Sequence, residues 1–253
     1  MEGRTALVTG GGTGIGRAIA LALAADGALV AVNHLPDAGS TDAAAEVVAA
    51  ITALGGRAMA VAADVTDDRA VRVMIQSIRS GLGPLGIVVA NAAISVACNR
   101  SWRELSSAEW NDVMSVNVTG AFLCVQAAYD DLLSSGYGAV VVISSVTPLM
   151  GKTGNLHYVT SKAALIGFTR ALAREVGPDG VRVNAIAPGA IRVPSELIYG
   201  SDEEISAAMF AVQSLRRRGE PADVAAVASF LVSDNSSFMT GQLLVVDGGW
   251  MMH

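Results

Sequence analysis

The sequence predicts an α/β protein built on one doubly wound parallel sheet of seven strands, with helices on both faces. Three observations lead there. Seven short apolar runs recur along the chain: TALVTG, ALVAVN, AMAVAAD, LGIVVANAA, GAVVVISS, VRVNAIAP and QLLVVDGG. Runs rich in Val, Ile and Ala, with little polar alternation, suit strands buried on both faces. Between them lie longer stretches of helical periodicity at Ile15–Ala25, Ala43–Leu54, Ala70–Ser80, Ser106–Leu133 and Leu156–Val176, and such alternation implies right-handed crossovers and a parallel sheet. No linker, repeat or low-complexity block interrupts the pattern, so residues 1–253 are expected to form a single domain.

Taken in order, the first strand runs directly into Thr9-Gly10-Gly11-Gly12-Thr13-Gly14-Ile15-Gly16 and then a helix. Glycines at a strand-to-helix turn let backbone amides approach a phosphate, and the positive end of the helix faces the anion. The spacing is T-G-x-x-x-G-x-G rather than G-x-G-x-x-G. A plain tight turn also uses glycine, but the position between first strand and first helix favours a Rossmann-type nucleotide site. Gly or Asp-Gly punctuation closes helices at AADGA and GPDGV. The predicted helix Ser106–Leu133 carries Asn117 in an otherwise apolar stretch, where the default role is a core asparagine satisfying backbone groups. The fifth strand ends at Ser144-Ser145. The helix Leu156–Val176 opens with HYVTSKAAL, which puts Tyr158 and Lys162 one turn apart on one face. After APGAIR, residues 193–218 break the rhythm with a helical stretch that has no strand of its own, a placement that suits a substrate loop.

Composition narrows the function. The chain has 253 residues, 52% hydrophobic and 16% charged, which is enough for a large buried core. A net charge of -6 argues against nucleic acid or an anionic membrane as partner. No basic-then-apolar leader precedes RTALVTGGG, and the most apolar stretch, Ala18 to Val32, is broken by Asp26 and Gly27 and too short for a bilayer. Cys98 and Cys124 match no disulfide or metal spacing, so both are expected as free thiols in a reducing cytoplasm. Asn117-Val-Thr119 and Asn235-Ser-Ser237 read as chance glycosylation matches. His34, His157 and His253 are scattered, and no metal site is expected.

From Thr5 to about Gly249 the chain resembles the short-chain dehydrogenase/reductase family, in its pattern similar to 3-oxoacyl-carrier-protein reductases and glucose 1-dehydrogenases. TGGGTGIG matches the family's cofactor turn, and Ala63-Asp64-Val65 its adenine-contacting step. Ala90–Ala93 (ANAA) stands where N-N-A-G is usual. SVNVTG carries the family asparagine at Asn117, ISS precedes the Y-x-x-x-K pair, and NAIAPG and TGQLLVVDGG are the later landmarks. The resemblance implies an NAD(P)-dependent oxidoreductase acting on a secondary alcohol or ketone, with a 3-oxoacyl thioester among the candidate substrates.

The chemistry agrees. Carbonyl reduction needs a proton donor at the developing alkoxide, and alcohol oxidation needs a base there. Free tyrosine titrates near 10, and an adjacent ammonium favours its phenolate; Lys162 can supply that charge beside Tyr158. By chance alone such a pair is more often an amphipathic helix edge. The family lysine also holds the nicotinamide ribose. Its serine stands thirteen residues before the tyrosine, which selects Ser145 over Ser144, and its asparagine, here Asn117, holds a water in a proton relay to the lysine. The resemblance further implies cofactor contacts from Gly10, Gly12, Thr13, Gly14, Ile15 and Gly16, then Asn33, His34 and Leu35, then Asp64 and Val65. Asn91, Ala92 and Ala93, together with Tyr158, Lys162, Pro188, Gly189 and Ile191, complete that set.

Cofactor choice is read after the second strand, where an acidic residue binds the ribose 2′-hydroxyl and repels a 2′-phosphate. Alignment puts His34 there, and Asp37 falls one turn late. Thr13 occupies a position where NADP-preferring relatives carry a basic residue. Asn33, His34 and Thr13 can hydrogen-bond a phosphate, so NADP is the expected cofactor, with NAD or dual use as alternative. Ala93 narrows the space beside the cofactor. The usual carboxamide-positioning threonine is replaced by Val193, followed by Pro194, unless Ser195 substitutes. The expected substrate pocket is lined by Ser95, Thr147, Leu149, His157 and the 193–218 segment, including Tyr199, Met209 and Phe210. Arg216, Arg217 and Arg218 read as a solvated helix end, although they would suit an acidic carrier protein. The alternatives are a sugar or polyol dehydrogenase of the same family and, in another class, a catalytically silent NAD(P)-binding sensor or scaffold. The chain is short for a dehydratase or epimerase of the extended type. Family resemblance implies a homotetramer paired through the helices of Ser106–Leu133 and Leu156–Val176, with Trp250, Met251 and Met252 at an interface.

Overall fold

A computed structural model describes residues 1–94, 101–194, 196 and 200–252. All seven expected strands form: β1 Thr5–Val8, β2 Leu29–His34, β3 Ala58–Ala62, β4 Leu85–Ala90, β5 Ala139–Ile143, β6 Arg182–Pro188 and β7 Leu243–Val246. They pair in parallel in the order β3-β2-β1-β4-β5-β6-β7. The central strands are buried along their length, β1, β4 and β5 without exception, as sandwiching between helical layers requires.

Two apolar clusters flank the sheet. On one face α3 (Asp68–Leu82), α5 (Gly120–Ser134) and α7 (Leu156–Val176) pack Met74, Ile78, Leu132 and Leu165 against Leu7, Val88 and Val140. On the other, α1 (Gly14–Ala25), α2 (Ala38–Ala53) and α9 (Pro221–Val232) pack Ile19, Val47, Ile51 and Leu231 against Val8, Val30 and Val141. The crossovers leaving β1, β2 and β6 thus lie on one face and those leaving β3, β4 and β5 on the other, which is the doubly wound arrangement.

Some boundaries differ from the sequence pattern. The second helix starts at Ala38 rather than Ala43, because the Asp37 carboxylate accepts the Ser40 N–H at 2.9 Å and caps it. The predicted Ser106–Leu133 helix is three pieces: α4 (Ser107–Met114), a π-helical turn at Ser115–Thr119, and α5. Ser106 and Glu109 form a capping box at its start. At its break Gly120 passes so close to the end of β3 that a Cβ there would lie 2.6 Å from Val65 Cγ2. A single turn, α6 (Thr147–Met150), follows β5, and the 193–218 segment contains α8 (Asp202–Val212). No helix is long and apolar enough to cross a membrane among the described residues.

One buried carboxylate ties the halves together. Asp131 on α5 accepts the Leu85 N–H at 3.2 Å and pairs with the Arg79 guanidinium at 2.8 Å. Replacing Asp131 with Ala leaves the Leu85 N–H buried without its acceptor, a cost of about 1–3 kcal/mol. Thermal unfolding of Asp131→Ala is expected to fall by roughly 2–4 °C for each kcal/mol lost.

Candidate active site

The strand order reverses between β1 and β4, and in such sheets the crevice beyond the carboxyl ends of the strands at that point is where ligands bind. Two adjoining cavities open there, of about 450 and 260 Å³, sharing Gly10, Thr13, Ala92 and Ala93 as walls. Every residue expected to contact a cofactor lines one or the other. The smaller holds Gly12, Asn33, His34, Leu35, Asp64 and Val65. The larger holds Gly14, Ile15, Gly16, Asn91, Tyr158, Lys162, Pro188, Gly189 and Ile191.

The glycine turn is a cradle with no room for side chains. Gly10 and Gly14 sit at φ +59° and +52°, a region that favours glycine. A Cβ on Gly16 would lie 2.2 Å from the Gly10 carbonyl oxygen and 2.6 Å from Asn91 Nδ2. Thr13 precedes α1 but makes no side-chain cap, so the first-turn N–H groups stay available to an anion. The cradle is braced from β4. Asn91 Nδ2 donates to the carbonyls of Thr9 (2.9 Å) and Gly10 (3.2 Å), and Thr9 Oγ1 accepts the N–H groups of Asn91 and Ala92, both at 2.9 Å.

At the far end the side chains are less free than the sequence suggests. Buried Asn33 donates to the Ala63 carbonyl at 3.0 Å and accepts the Gly10 N–H at 3.3 Å. Its amide braces the sheet edge and is not available to a phosphate, contrary to expectation. His34 Nδ1 lies 2.8 Å from the Leu35 carbonyl, an acceptor only, so that nitrogen carries the proton and Nε2 is left as the ring's second group. The Asp37 carboxylate is spent on capping α2, and its hydrogen bonds to Ser40 hold it below the usual carboxylate range. Asp64 accepts from the backbone and hydroxyl of Thr66.

At the other end β5 delivers Ser145 and α7 delivers Tyr158 and Lys162 to the wall of the larger cavity. Ser145 Oγ accepts from the backbone N–H and the hydroxyl of Thr147, both at 3.1 Å. Its acceptor capacity is filled, which leaves its own proton to donate. Ser144 faces away and donates to the Lys162 carbonyl at 2.8 Å. Lys162 is buried, with Nζ donating to the Ile143 carbonyl at 2.8 Å and lying 5.7 Å from the centre of the Tyr158 ring. Burial pushes its ammonium down to about 8. Asn117 lies in the π-helical turn, as such turns often do at functional sites. Its Oδ1 accepts the Ile94 N–H at 2.8 Å, and its Nδ2 donates to the Ile94 carbonyl (3.2 Å) and Ser161 Oγ (3.0 Å). Ser161 in turn donates to the Tyr158 carbonyl at 2.7 Å. The Asn117 amide therefore works as the core asparagine of the default reading, fixing the start of the loop after β4 against α7.

This geometry has known counterparts. The family model described as Enoyl-(Acyl carrier protein) reductase matches residues 10–251. A 3-oxoacyl-(acyl-carrier-protein) reductase of Staphylococcus aureus is 39% identical over 249 residues, covering 98% of both chains. The chain belongs to the short-chain dehydrogenase/reductase family. It is an oxidoreductase of carbonyl and hydroxyl groups that uses a nicotinamide cofactor. Among solved members of the family, a 3-oxoacyl-(acyl-carrier protein) reductase of Brucella melitensis with bound NAD superposes with a TM-score of 0.88 at 36% identity, covering 99% of this chain and 92% of that one. A blue fluorescent protein from a metagenomic library, in complex with NADPH, gives 0.90 at 35% identity and 99% coverage of both.

Within this short-chain dehydrogenase/reductase the substrate side needs correction. His157, expected on the pocket wall, is fully buried, with neither ring nitrogen hydrogen-bonded among the described residues. Leu149 and Phe210 do not line the cavity, whereas Thr147 and Met209 do. Ser95, Cys98, Ser195, Tyr199 and His253 lie outside the described residues. Val193 stands against Gly14, its Cγ1 3.4 Å from where a Cβ would be. The arginine trio lies beyond the end of α8 and is solvated only in part, with Arg216 and Arg217 exposed and Arg218 buried. Arg218 is buried on Glu196, Arg217 pairs with Asp223 at 2.7 Å, and Arg216 donates to the Phe210 carbonyl. From the expected 193–218 segment Val193, Glu196, Ile205 and Met209 line the cavity, and so do Lys152 and Trp250, which the sequence did not point to. Trp250, expected at an interface, also walls the larger cavity of its own chain. Only its closeness to a glycine pair hinted at a turn back toward the sheet. Cys124 is buried and its thiol pushed up to about 12, and no group of three or more His, Cys, Asp or Glu could hold a metal among the described residues.

Proposed function

We propose that Tyr158 is the acid/base of a hydride-transfer reaction between a nicotinamide and a secondary alcohol or ketone. The observation that carries this reading is the convergence of Tyr158, Lys162 and Ser145 on one cavity wall beside the glycine cradle. The turn at Gly10–Gly16 would hold the pyrophosphate, Asp64 and Val65 the adenine side, and Asn91–Ala93 with Pro188, Gly189 and Ile191 the nicotinamide side. A bound nicotinamide supplies or accepts the hydride at the carbonyl carbon.

Everything else is done by the chain's own groups. The free proton of Ser145 Oγ points the substrate oxygen. The Tyr158 hydroxyl gives that oxygen a proton in reduction and takes it in oxidation. Lys162, with donors left beyond its bond to Ile143, lends positive charge to the phenolate and grips the ribose. The Asn117 amide is committed to Ile94 and Ser161, so its place in a proton relay runs through the main chain of the π-helical turn, where the regular carbonyl ladder is interrupted. NADP is the cofactor we favour, since no carboxylate is placed at the end of β2 to reject a phosphate; NAD is the alternative. A 3-oxoacyl thioester, given the relatives' names, and a polyol are the two substrates to compare.

We also place the chain in the cytoplasm and in a homotetramer. Exposed apolar side chains on α5 (Phe122, Leu133) and at the start of α7 (Leu156) support pairing through those helices. A monomer in sizing experiments would overturn that. The reaction is tested by following nicotinamide absorbance with both cofactors over oxoacyl thioesters, sugars and simple diols; no turnover of any would sink it.

The buried lysine predicts a pH signature in stability. Its folded form titrates near 8 and its unfolded form near 10.5, so the cost of burying the ammonium is fully present below pH 8. It is relieved between 8 and 10.5, where the unfolded chain binds the extra proton, and is gone above. The stability of Lys162→Met relative to the parent is expected to fall by about 3 kcal/mol across that window. Urea unfolding at pH 7 and pH 10 would measure it, and a pH-independent difference would show that the lysine is not buried as charge.

A further inference from the structure

The 193–218 segment contains an ion pair that does not belong to ordinary surface chemistry. Arg218 and Glu196 are joined through Nη2 and Oε2, with side chains only 2% and 10% exposed, whereas every other pair among the described residues has at least one clearly exposed member. Arg218 is supported further by Ser206 Oγ and Asp202 Oδ1, each 3.5 Å from Nη1, although its Nε is buried with no partner among the described residues. Glu196 has capacity to spare. Its second oxygen, Oε1, has no partner among the described residues, and Glu196 lines the same cavity as Ser145 and Tyr158. The cavity is walled further by the apolar Val193, Ile205, Met209 and Trp250 and by the polar Thr147 and Lys152.

We infer that Glu196 Oε1 accepts a hydrogen bond from a second hydroxyl of the substrate, and that the substrate is a polyhydroxylated molecule (a diol, polyol or sugar) rather than an acyl thioester. This rests on the larger cavity being the site of the proposed reaction. A carboxylate covered by a ligand keeps its solvation only if the ligand replaces the lost water with a donor. An acyl chain brings none and would strip Oε1 bare. A hydroxyl fits, and a site built to bond it discriminates strongly against the analogue without it. The arginines nearby offer an acidic carrier protein little, since Arg217 and Arg218 are already paired.

The test compares kcat/KM for cyclohexanol and for the 1,2-, 1,3- and 1,4-cyclohexanediols, with both cofactors. The wild type is expected to prefer at least one diol by about 10-fold or more, the scale of a hydrogen bond to a charged acceptor. In Glu196→Leu/Arg218→Met, which replaces a buried ion pair by an apolar pair of similar bulk, that ratio falls toward one. If the double variant does not unfold cooperatively, Glu196→Gln takes its place and the ratio is expected to drop several-fold. An equal rate on cyclohexanol and every diol, a ratio that survives both variants, or an acetoacetyl thioester outpacing every diol overturns the inference and leaves the reaction standing. No turnover of any alcohol or ketone removes the reaction itself.

Discussion

Tyr158→Phe is expected to lower kcat by about 10²–10⁴-fold while cofactor affinity stays within a few-fold of the parent. The ring remains, so the wall of the larger cavity and the approach of Lys162 Nζ to within 5.7 Å of its centre are kept. What is lost is the hydroxyl that exchanges a proton with the substrate oxygen. Ser145 cannot take over, because its partners fill its acceptor sites and it has no base to return its proton to. Steady-state rates and a cofactor fluorescence titration on one preparation separate the two effects. Turnover surviving within about tenfold would mean that the proton comes from elsewhere. A silent nicotinamide-binding scaffold, the reading from another class, would show no turnover in the parent at all.

Gly16→Ala is expected to weaken nicotinamide cofactor binding by about 100-fold or more and to destabilise the fold by about 1–3 kcal/mol. The new methyl would stand 2.2 Å from a backbone carbonyl, that of Gly10, and 2.6 Å from Asn91 Nδ2. Neither belongs to a flexible chain end. Relief requires α1 to shift away from the turn, which spoils the cradle. Gly167→Ala on α7 is the control: nothing lies within 4 Å of its added carbon, so the same chemical change there is expected to be neutral or to stabilise by about 0.5–1 kcal/mol. Calorimetric titration and thermal unfolding of both variants check this pair of outcomes. Unchanged cofactor affinity in Gly16→Ala would mean that the turn does not carry the pyrophosphate.

Periodicity was a good guide wherever burial was uniform. β4 and β5 are buried at every position, and their runs LGIVVA and AVVVI need no context to be read as strands. It failed where a local contact sets the backbone. The start of α2 depends on one carboxylate, Asp37, reaching Ser40, and the break in Ser106–Leu133 depends on how near Gly120 comes to Val65. Neither leaves a periodic trace. The residues expected to hold the cofactor sit at fixed offsets from strand ends, and all of them line the two cavities. The substrate wall was legible only in part: the 193–218 segment supplies Glu196, Ile205 and Met209 as expected, whereas Lys152 and Trp250 come from distant segments that only the folded chain brings together. His157 shows the converse: its closeness to Tyr158 in sequence says little about direction, since neighbours on a helix point about 100° apart.

The seam between β1 and β4 has one more consequence. Thr9 and Asn91 join the glycine turn to the loop after β4 by four hydrogen bonds that involve no ligand. The turn and that loop are therefore one braced casting rather than two jaws. Swapping cofactors by altering His34 leaves that casting untouched, whereas any change at Asn91 alters grip and chemistry together. Redesign of this chain has an adjustable end and a fixed one, and the boundary between them is the hydroxyl of Thr9.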